Sequence, residues 1–508
     1  MHLHYIDLAI VIGSLVLTLV IGLWAGRGVN NVKEYTIGNR KFSTLALVMT
    51  LVATSISGDG FIGCINYIYA EGLISILPYL TGLIQVGIIA FLLVPHMRHF
   101  SKCLTIGDIM RQLYGEYGEI ITGSLSFLNA ICMLAVEFFT LRLVFESMLG
   151  VTEIWPVILS VFMFSMYTAY GGIRSVTITD IIQFLIISIG IPILAWIAVS
   201  KAGGLTAVIT QTPQIKLGLL LPNSFPNLIE FITYGFLPLC ITSPVIIQRM
   251  LMSRDTYQMK KSIISLGILV TIGNLFFILI AFSIKILYTE MMPDQIVAYS
   301  LSNLLSVGFK GIALSSVFAM ILSTMDSFLN IAGISLVHNV IKPICDSKKI
   351  SLNELKLIKL VTIFTVPLVV IFSLYAKDTV WFVMKFVAFT APITLAPLVF
   401  GIIGLKVDKK SYYTASVVTL IVFFCNQLFL PVRYTHFDTL INVFANAITF
   451  FTMHYIQNKG FVMVQRDKSK YEQEPIKFEF FNPLHLGAYS RTKVEQFGAP
   501  YEAFGIFL

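Results

Sequence analysis

The stretch Leu51–Gly63 reads LVATSISGDGFIG and lies inside an apolar run from about Leu45 to Tyr69, long enough to span a bilayer. It nevertheless contains three glycines, three hydroxyls and the carboxylate of Asp59. Each glycine costs a helix about 1 kcal/mol relative to alanine, and a carboxylate at the membrane centre costs about 3 kcal/mol or more. Non-helical backbone at membrane depth is tolerated only where it is buried in protein or lines a cavity. The stretch therefore predicts a broken helix whose backbone oxygens face a cation or a polar solute.

The composition of the 508-residue chain predicts an integral membrane protein. Hydrophobic residues make up 56% of it and charged residues only 12%, against about 25% charged residues in soluble domains. The net charge of +8 is scattered over short loops without a basic stripe, so it does not indicate nucleic acid as a partner. The six cysteines form neither a CxxC motif nor a Cys/His cluster, so neither a metal site nor a disulfide framework is predicted.

The hydrophobic pattern predicts an all-α protein with about thirteen transmembrane helices. We place them at about 6–24, 43–70, 73–95, 119–148, 154–170, 176–199, 228–248, 262–288, 308–340, 357–375, 380–404, 411–430 and 437–456. This gives a transmembrane domain over 1–456 and a C-terminal tail over 457–508.

The distribution of Lys and Arg predicts the orientation, because cytoplasmic loops are enriched in basic residues. With the N-terminus outside, the inner loops hold 20 of these residues and the outer loops and nearby helix ends hold 6. We therefore expect a multi-pass protein of the plasma (inner) membrane with a cytoplasmic C-terminal tail.

The span at 228–248 is the second candidate for a broken helix, because prolines remove helix donors. It follows the first broken span by five spans, so the two halves that contain them have opposite orientations. Paired interrupted spans indicate the central site of a transporter, although membrane helices also tolerate Gly and Pro for other reasons. The interrupting residues are Gly235, Pro238, Thr242, Ser243 and Pro244.

Ionisable residues within or at the ends of spans usually face the bundle interior and serve function. Arg142 and Glu146 are four residues apart on one helix, which predicts a local salt bridge. Glu137 has no basic residue three or four positions away, so it contacts either the substrate or a partner on another helix. The full set is Asp59, Glu137, Arg142, Asp180, Asp326 and Lys385.

The segment 323–327, Ser-Thr-Met-Asp-Ser, places Ser323, Asp326 and Ser327 on one helix face and Thr324 on the adjacent one. Hard cations such as Na⁺ prefer oxygen ligands of this kind. Two other interpretations stay open at this point: a proton relay through Asp326, or hydroxyls that bond to the preceding turn and ease helix packing.

Five segments together resemble the sodium/solute symporter family, which includes bacterial proline and sialic acid symporters and the sodium/glucose cotransporters. The resemblance covers about residues 5 to 456. The segments are Tyr35–Arg40, the stretch Leu51–Gly63 quoted above (the opening stretch), Tyr170–Gln183 with its Gly-Gly … Thr-Asp-x-x-Gln pattern, Gln248–Met250 and Met320–Ser327. The family's fold implies a five-plus-five inverted-repeat core with broken helices, here at about 43–199 and 228–404.

The resemblance also implies a sodium site. It assigns carbonyl ligands to Ala53, Ile56 and Met320 and hydroxyl ligands to Ser323 and Thr324. A second cation site, found in some members, corresponds to Asp180, Ser323, Asp326 and Ser327, with Asp326 standing where the sialic acid symporter has serine.

The substrate positions of known members match poorly. The glutamine and glutamate that contact sugars correspond to Gly60 and Tyr79, which argues against a sugar. The proline symporter's aromatic positions fall on Met133, Phe236 and Cys240. We expect these five residues, with Asp59 and Glu137, to surround the solute, and Asp59 to pair with a cationic group of it.

The function expected from these observations is sodium-coupled symport of a small organic solute, amino-acid-like or a carboxylate rather than a sugar. Na⁺ is the co-transported ion, and no organic cofactor and no enzymatic activity are expected, since no H-E-x-x-H motif, nucleophile elbow or His/carboxylate cluster stands out. A proton-coupled symporter and a membrane solute sensor with the same fold are the alternatives.

Overall fold

The computed structural model describes residues 4–72, 82–211, 239–288, 291, 293–375, 379–406, 408–429 and 435–463, and this part of the chain is almost entirely α-helical. In these ranges the only β-type pairing is an isolated bridge between Leu405 and Met463. The helices are α1 (Tyr5–Ala25), α2 (Val32–Ile37), α3 (Thr44–Ser55), α4 (Gly58–Glu71), α5 (Gly82–Ile88, continued by π and 3-10 turns to Phe100), α6 (Ile106–Tyr114), α7 (Glu116–Met148), α8 (Ile154–Gly171), α9 (Ile173–Lys201), α10 (Leu205–Gln211), α11 (Pro244–Leu251), α12 (Thr256–Leu287), α13 (Pro293–Leu304), α14 (Phe309–Leu336, continued by a π turn), α15 (Lys342–Ser347), α16 (Glu354–Tyr375), α17 (Thr379–Ile403), α18 (Lys409–Phe429) and α19 (Thr435–Asn458).

Eleven of the described helices are long and apolar enough to cross a membrane, and the bent pair α3–α4 adds a twelfth span. These twelve correspond in position to twelve of the predicted spans. The remaining one, 228–248, lies outside the described residues as far as 238; beyond that a 3-10 turn, Leu239–Thr242, leads into α11. Proline fits the first position of a helix, where its missing N–H costs nothing, and α11 begins at Pro244. The division into transmembrane domain and tail stays a prediction, since residues 464–508 lie outside the described part.

Helix α14 forms the centre of the bundle. Every residue from Ala313 to Ser335 is buried, the pattern of a helix surrounded on all sides by protein. Its neighbours include α1, α3, α7, α8, α9 and α16. Polar side chains on α14 therefore face other helices and not lipid, which makes this helix the place where a buried polar site can be assembled.

The break predicted in the opening stretch lies between α3 and α4, whose axes differ by 52°. Helix α3 ends at Ser55, Ile56 leaves the helical conformation (φ −95°, ψ 84°), and the Ser57 hydroxyl caps α4 by accepting the Gly60 amide at 3.2 Å. The three glycines lie inside α4 and not in the break itself. The helix is therefore interrupted by the Ile56–Ser57 turn, and the capping serine restarts it.

Gly58 permits the close approach of α4 to two neighbouring helices. A Cβ at this position would lie 2.2 Å from Cγ1 of Ile321 on α14 and 3.2 Å from Oε2 of Glu137 on α7. At Gly63, by contrast, a Cβ would have no neighbouring atom within 4 Å, so a methyl group fits there. The first glycine is required by packing, whereas the second is not.

We predict that Gly58→Ala destabilises the protein by about 1–3 kcal/mol, because a methyl group forces α4 away from α14. Gly63→Ala is the matched control and is expected to be neutral or to stabilise α4 by up to about 1 kcal/mol. The apparent melting temperature of each purified variant in detergent is the measurement. Equal melting temperatures would contradict the packing role of Gly58.

Candidate cation and solute site

The end of α3 brings free carbonyl groups to the hydroxyls of α14. The Ile56 amide still bonds to the Val52 carbonyl at 2.9 Å, but the carbonyls of Ala53 and Thr54 belong to the last turn of α3, where carbonyl groups lack amide donors from their own helix. The Ser323 hydroxyl lies 2.7 Å from the Ala53 carbonyl oxygen, and the Thr324 hydroxyl lies 3.4 Å from that of Thr54. The break thus exposes carbonyl oxygens, and two hydroxyls of the central helix contact them.

The same hydroxyls also reach a carbonyl of their own helix. Ser323 Oγ lies 3.0 Å and Thr324 Oγ1 3.2 Å from the Met320 carbonyl oxygen. Four of the five predicted sodium ligands, from Ala53, Met320, Ser323 and Thr324, therefore lie within one hydrogen-bonded group of oxygens. A helix C-terminus carries partial negative charge, so the end of α3 adds an electrostatic preference for a cation.

Ile56, the fifth predicted ligand, occupies the break itself. Its side chain is buried and packs towards Gly273 of α12, where a Cβ would lie 3.0 Å from Ile56 Cδ1. The hydroxyl of Thr324 contacts the carbonyl of Thr54, which was not among the predicted ligands. The exact residue at which α3 ends depends on its packing against other helices, so the sequence alone does not indicate which carbonyls are exposed.

The Arg249 guanidinium lies at the centre of a second polar cluster. It is fully buried and lies 3.5 Å from the Asp180 carboxylate, with a further bond of 2.6 Å to the Ser327 hydroxyl. Thr50 donates to the same carboxylate oxygen of Asp180, and Thr54 Oγ1 lies 3.0 Å from Ser327 Oγ. The cluster therefore connects α3, α9, α11 and α14 through one buried ion pair.

Asp326 points to a different neighbour. Its carboxylate accepts hydrogen bonds from the Tyr167 hydroxyl and, at 3.2 Å, from the Thr168 hydroxyl, both on α8. Asp180 and Ser327 meanwhile contact Arg249. In this arrangement the residues of the predicted second cation site are bonded to protein partners, and a cation there would have to displace the Arg249 guanidinium.

A cavity of about 210 Å³ lies beside these clusters, between α7, α14, α17 and the start of α11. None of its described lining residues is charged; they offer hydroxyl, amide and apolar surface, and the polar ones are Thr122, Ser126, Asn129, Thr242, Ser243, Thr390 and Thr394. At about 30 Å³ per water molecule, the volume suits a small solute. Met133, a predicted solute contact, lines it.

Glu137 lies one helical turn beyond Met133 on the same face of α7. Its carboxyl group is fully buried and faces the carboxyl of Asp59 and the backbone amides of Gly58 and Asp59. None of these approaches has the geometry of a hydrogen bond, so both oxygens of Glu137 and Oδ1 of Asp59 are buried without a bonded partner. The two predicted residues therefore meet at the start of α4.

The other predicted solute contacts are only partly described. Gly60 lies in the first turn of α4 and is half-buried. Tyr79 and Phe236 lie outside the described residues, and of Cys240 only the backbone, in the 3-10 turn before α11, is described. Their contact with a solute stays a prediction.

Two other charged residues at membrane depth form structural ion pairs. Arg142 Nε lies 2.6 Å from Glu146 Oε1, which confirms the predicted i,i+4 salt bridge. Lys385 of α17 pairs with Asp438 of α19, and Gln427 donates to the same carboxylate at 2.9 Å. Neither pair leads to the cation site.

A His/carboxylate cluster, which no motif in the sequence indicated, joins α6, α7 and the end of α14. His338 bonds through Nδ1 to Glu354 and through Nε2, at 3.1 Å, to Asp108, while Glu119 lies 3.2 Å from Arg111. Both ring nitrogens of His338 are thus occupied by carboxylates, as in an ion-pair network. Burial opposes ionisation of Asp108, but the bonds and charge of His338 and two backbone amides lower its pKa overall.

The chain matches known proteins over most of its length. Residues 35–417 match the family described as "Sodium:solute symporter family". The chain belongs to this family. It is 24% identical over 410 residues to the sodium/pantothenate symporter of Escherichia coli (strain K12), which covers 76% of this chain and 82% of that protein. It is 22% identical to the sodium/sialic acid symporter SiaT of Proteus mirabilis (strain HI4320), over 72% of this chain and 77% of that protein.

A solved structure shares the fold of the chain. The chain is similar to a Na⁺-coupled sialic acid symporter in a substrate-bound outward-open state, with a TM-score of 0.80, 17% sequence identity, and coverage of 91% of this chain and 100% of that chain. This likeness confirms the predicted fold class, an all-α membrane protein with an inverted-repeat core. The chain is thus an integral membrane transporter of a sodium-coupled family and not an enzyme. The boundaries of its two repeats, about 43–199 and 228–404, stay predictions.

We predict that Arg249→Met and Asp180→Asn each lower the stability of the protein, the former by about 3–5 kcal/mol because it leaves a buried carboxylate without its cation. The double variant Asp180→Asn/Arg249→Met removes both charges and is expected to recover much of that loss. Apparent melting temperatures of the three variants in detergent are the measurement. Additive losses in the double variant would show that the two side chains are not paired.

Proposed function

We propose that the protein transports a small organic solute together with Na⁺ by alternating access. The observation that supports this most directly is the contact of the Ser323 and Thr324 hydroxyls with the carbonyls at the broken end of α3. Membership of the sodium:solute symporter family supports it independently. Carbonyl and hydroxyl oxygens are the ligands that a hard cation prefers.

The proposed sodium site consists of the carbonyl oxygens of Ala53, Ile56 and Met320 and the hydroxyl oxygens of Ser323 and Thr324. Each hydroxyl now contacts carbonyl oxygens directly, so its proton bridges two oxygens. When Na⁺ binds, the two hydroxyl groups keep their protons but rotate them away from these carbonyls, so that hydroxyl and carbonyl oxygens all direct lone pairs at the ion. The oxygens must move slightly apart to do so, which changes how α3 packs on α14.

Coupling follows from the position of the break. The site lies at the end of α3, whereas α4, on the other side of the Ile56–Ser57 turn, holds Asp59 opposite Glu137, one turn beyond the cavity-lining Met133. An ion that fixes the angle between the two helices therefore fixes the position of the solute contacts. The effect of Na⁺ on solute affinity must equal the effect of solute on Na⁺ affinity. The two repeats then move against each other about the central site.

The excess of basic residues in one set of loops supports an outside N-terminus and a cytoplasmic C-terminus in the inner membrane. With this orientation the membrane potential drives Na⁺ inward with about 2.3 kcal/mol per charge per 100 mV. The Arg249 guanidinium supplies a fixed positive charge between Asp180 and Ser327, so transport with the single sodium site described above requires no second cation.

A sugar is disfavoured as solute, because Gly60 and Tyr79 stand where sugar transporters of the family have polar contacts. The proton-coupled alternative would use a carboxylate as the carrier, and a pH gradient without sodium would then drive uptake. A sensor with the same fold would bind solute without accumulating it. Uptake into proteoliposomes with a sodium gradient, a pH gradient or neither therefore separates the three.

We predict that Ser323→Ala raises the Na⁺ concentration for half-maximal uptake by about tenfold, since one oxygen ligand is lost. Ser316→Ala is the matched control: this hydroxyl is also buried on α14 and bonds a carbonyl of a neighbouring helix, that of Ile186 at 3.1 Å, but lies away from the break. Uptake rates measured over a series of Na⁺ concentrations provide the test. Identical sodium dependence of Ser323→Ala and the wild type would exclude this hydroxyl as a ligand.

A further inference from the structure

Glu137 differs from the other buried carboxylates of the described residues. The others, Asp7, Glu119, Asp180, Asp326 and Asp438, each have at least one oxygen bonded to a basic side chain, a hydroxyl, an amide or the backbone. Glu137 is fully buried, and neither of its oxygens accepts a well-formed hydrogen bond; its polar neighbours are the Asp59 carboxyl and the Gly58 and Asp59 amides. A polar group in this condition costs free energy unless something binds it.

The titratable group that faces Glu137 is another carboxyl, that of Asp59. No basic side chain among the described residues forms an ion pair with either one. The N-terminus of α4, whose Gly58 and Asp59 amides face Glu137, contributes about half a positive charge. Two ionised carboxylates therefore keep an excess of negative charge, which a bound cation balances.

The number and position of the unbonded oxygens indicate which kind of cation fits between the two carboxylates. Three buried oxygens lack a partner, namely Oδ1 of Asp59 and both carboxylate oxygens of Glu137. A protonated primary amine has three N–H donors and no acceptor, which matches this set. A sodium ion would find backbone carbonyls at the end of α3, whereas at the start of α4 the backbone presents N–H groups.

The surroundings fit an amine on a larger solute. Met133 lines the uncharged cavity of about 210 Å³, and Glu137 lies one helical turn further along α7, outside the lining. A solute in that cavity that extends by one turn, roughly 5 Å, along α7 therefore reaches the carboxylates. Asp59 is only half-buried and gives access to the pair, whereas Glu137 lies behind it. The hydroxyl and amide groups of the cavity suit a neutral, polar remainder of the solute.

We propose that Asp59 and Glu137 bind a protonated amine of the transported solute, with the neutral part of the solute in the adjoining cavity. This inference rests on the proposed transport function and narrows its solute class from amino-acid-like compounds or carboxylates to compounds with a primary amine. It disfavours solutes whose only charge is a carboxylate, because the pair repels them.

The test uses the full-length protein in proteoliposomes with an inward sodium gradient and radiolabelled solutes in matched pairs. The pairs are L-alanine and L-lactate, L-serine and glycerate, and ethanolamine and ethylene glycol; choline is added as a quaternary amine without N–H donors. We expect sodium-driven uptake of an amine in at least one pair, at least about tenfold faster than its amine-free partner. Choline is expected to be a poor substrate.

The variants Asp59→Asn and Glu137→Gln are expected to raise the KM for that amine at least about tenfold. Both should retain the wild-type stabilisation by Na⁺ in a thermal melt, which establishes that they fold and that the sodium site is intact. Glu153→Gln, which alters an exposed carboxylate beyond the end of α7, is the charge-matched control and should leave KM unchanged.

Several results would overturn the proposal. They are faster uptake of the amine-free partners, failure of every amine in the panel to be transported or to raise the melting temperature, and an unchanged KM in both variants. Uptake of neutral solutes driven by a pH gradient alone, and lost in Asp59→Asn, would instead identify the pair as a proton carrier. The two proposals fail in different ways. If the transport function is wrong, uptake of no solute in the panel depends on sodium. If only the amine proposal is wrong, an amine-free solute is still taken up in a sodium-dependent manner.

Discussion

The structure depends on the contact between the carbonyls at the end of α3 and the hydroxyls of α14. A helix that ends inside a membrane leaves backbone carbonyl oxygens without hydrogen-bond donors. The hydrocarbon core contains no water that could donate to them. Ser323 and Thr324 meet these oxygens from a helix that is buried on every side. The oxygens that stabilise the break through these hydrogen bonds are thus the same ones that we propose as sodium ligands.

Two charged features border this contact and have opposite character. On one side, Arg249 and Asp180 form a buried ion pair with hydroxyl partners, so its charges are balanced within the protein. On the other side, Asp59 and Glu137 meet at the start of α4 without a cation from the described residues. A buried pair with balanced charge maintains the fold, whereas an unbalanced pair beside a cavity favours binding from outside.

Much of the fold could be predicted because the bilayer imposes a length and an apolar composition on each span, and the local pair Arg142–Glu146 followed from helical spacing. The break lies where it was predicted, at the Ile56–Ser57 turn, and the Ser57 hydroxyl caps the helix that follows; the glycines, by contrast, lie inside α4 and not in the turn. The partners of Asp180 and His338 could not be predicted, because they come from distant parts of the chain and only packing brings them together. The resemblance predicted five sodium ligands, four of which the structure brings together, but no pattern in the residues revealed the surroundings of Glu137.

Hydrogen exchange at the break tests the central claim most directly. Amides in the segment 53–61 of the protein in lipid vesicles can be followed by mass spectrometry in Na⁺ and in K⁺ at equal ionic strength. If Na⁺ binds between the end of α3 and α14, exchange in this segment slows several-fold in Na⁺, while a segment of α18 that is remote from the break exchanges equally in both salts. Equal exchange of residues 53–61 in Na⁺ and K⁺ would contradict the claim that the broken helix is the sodium site.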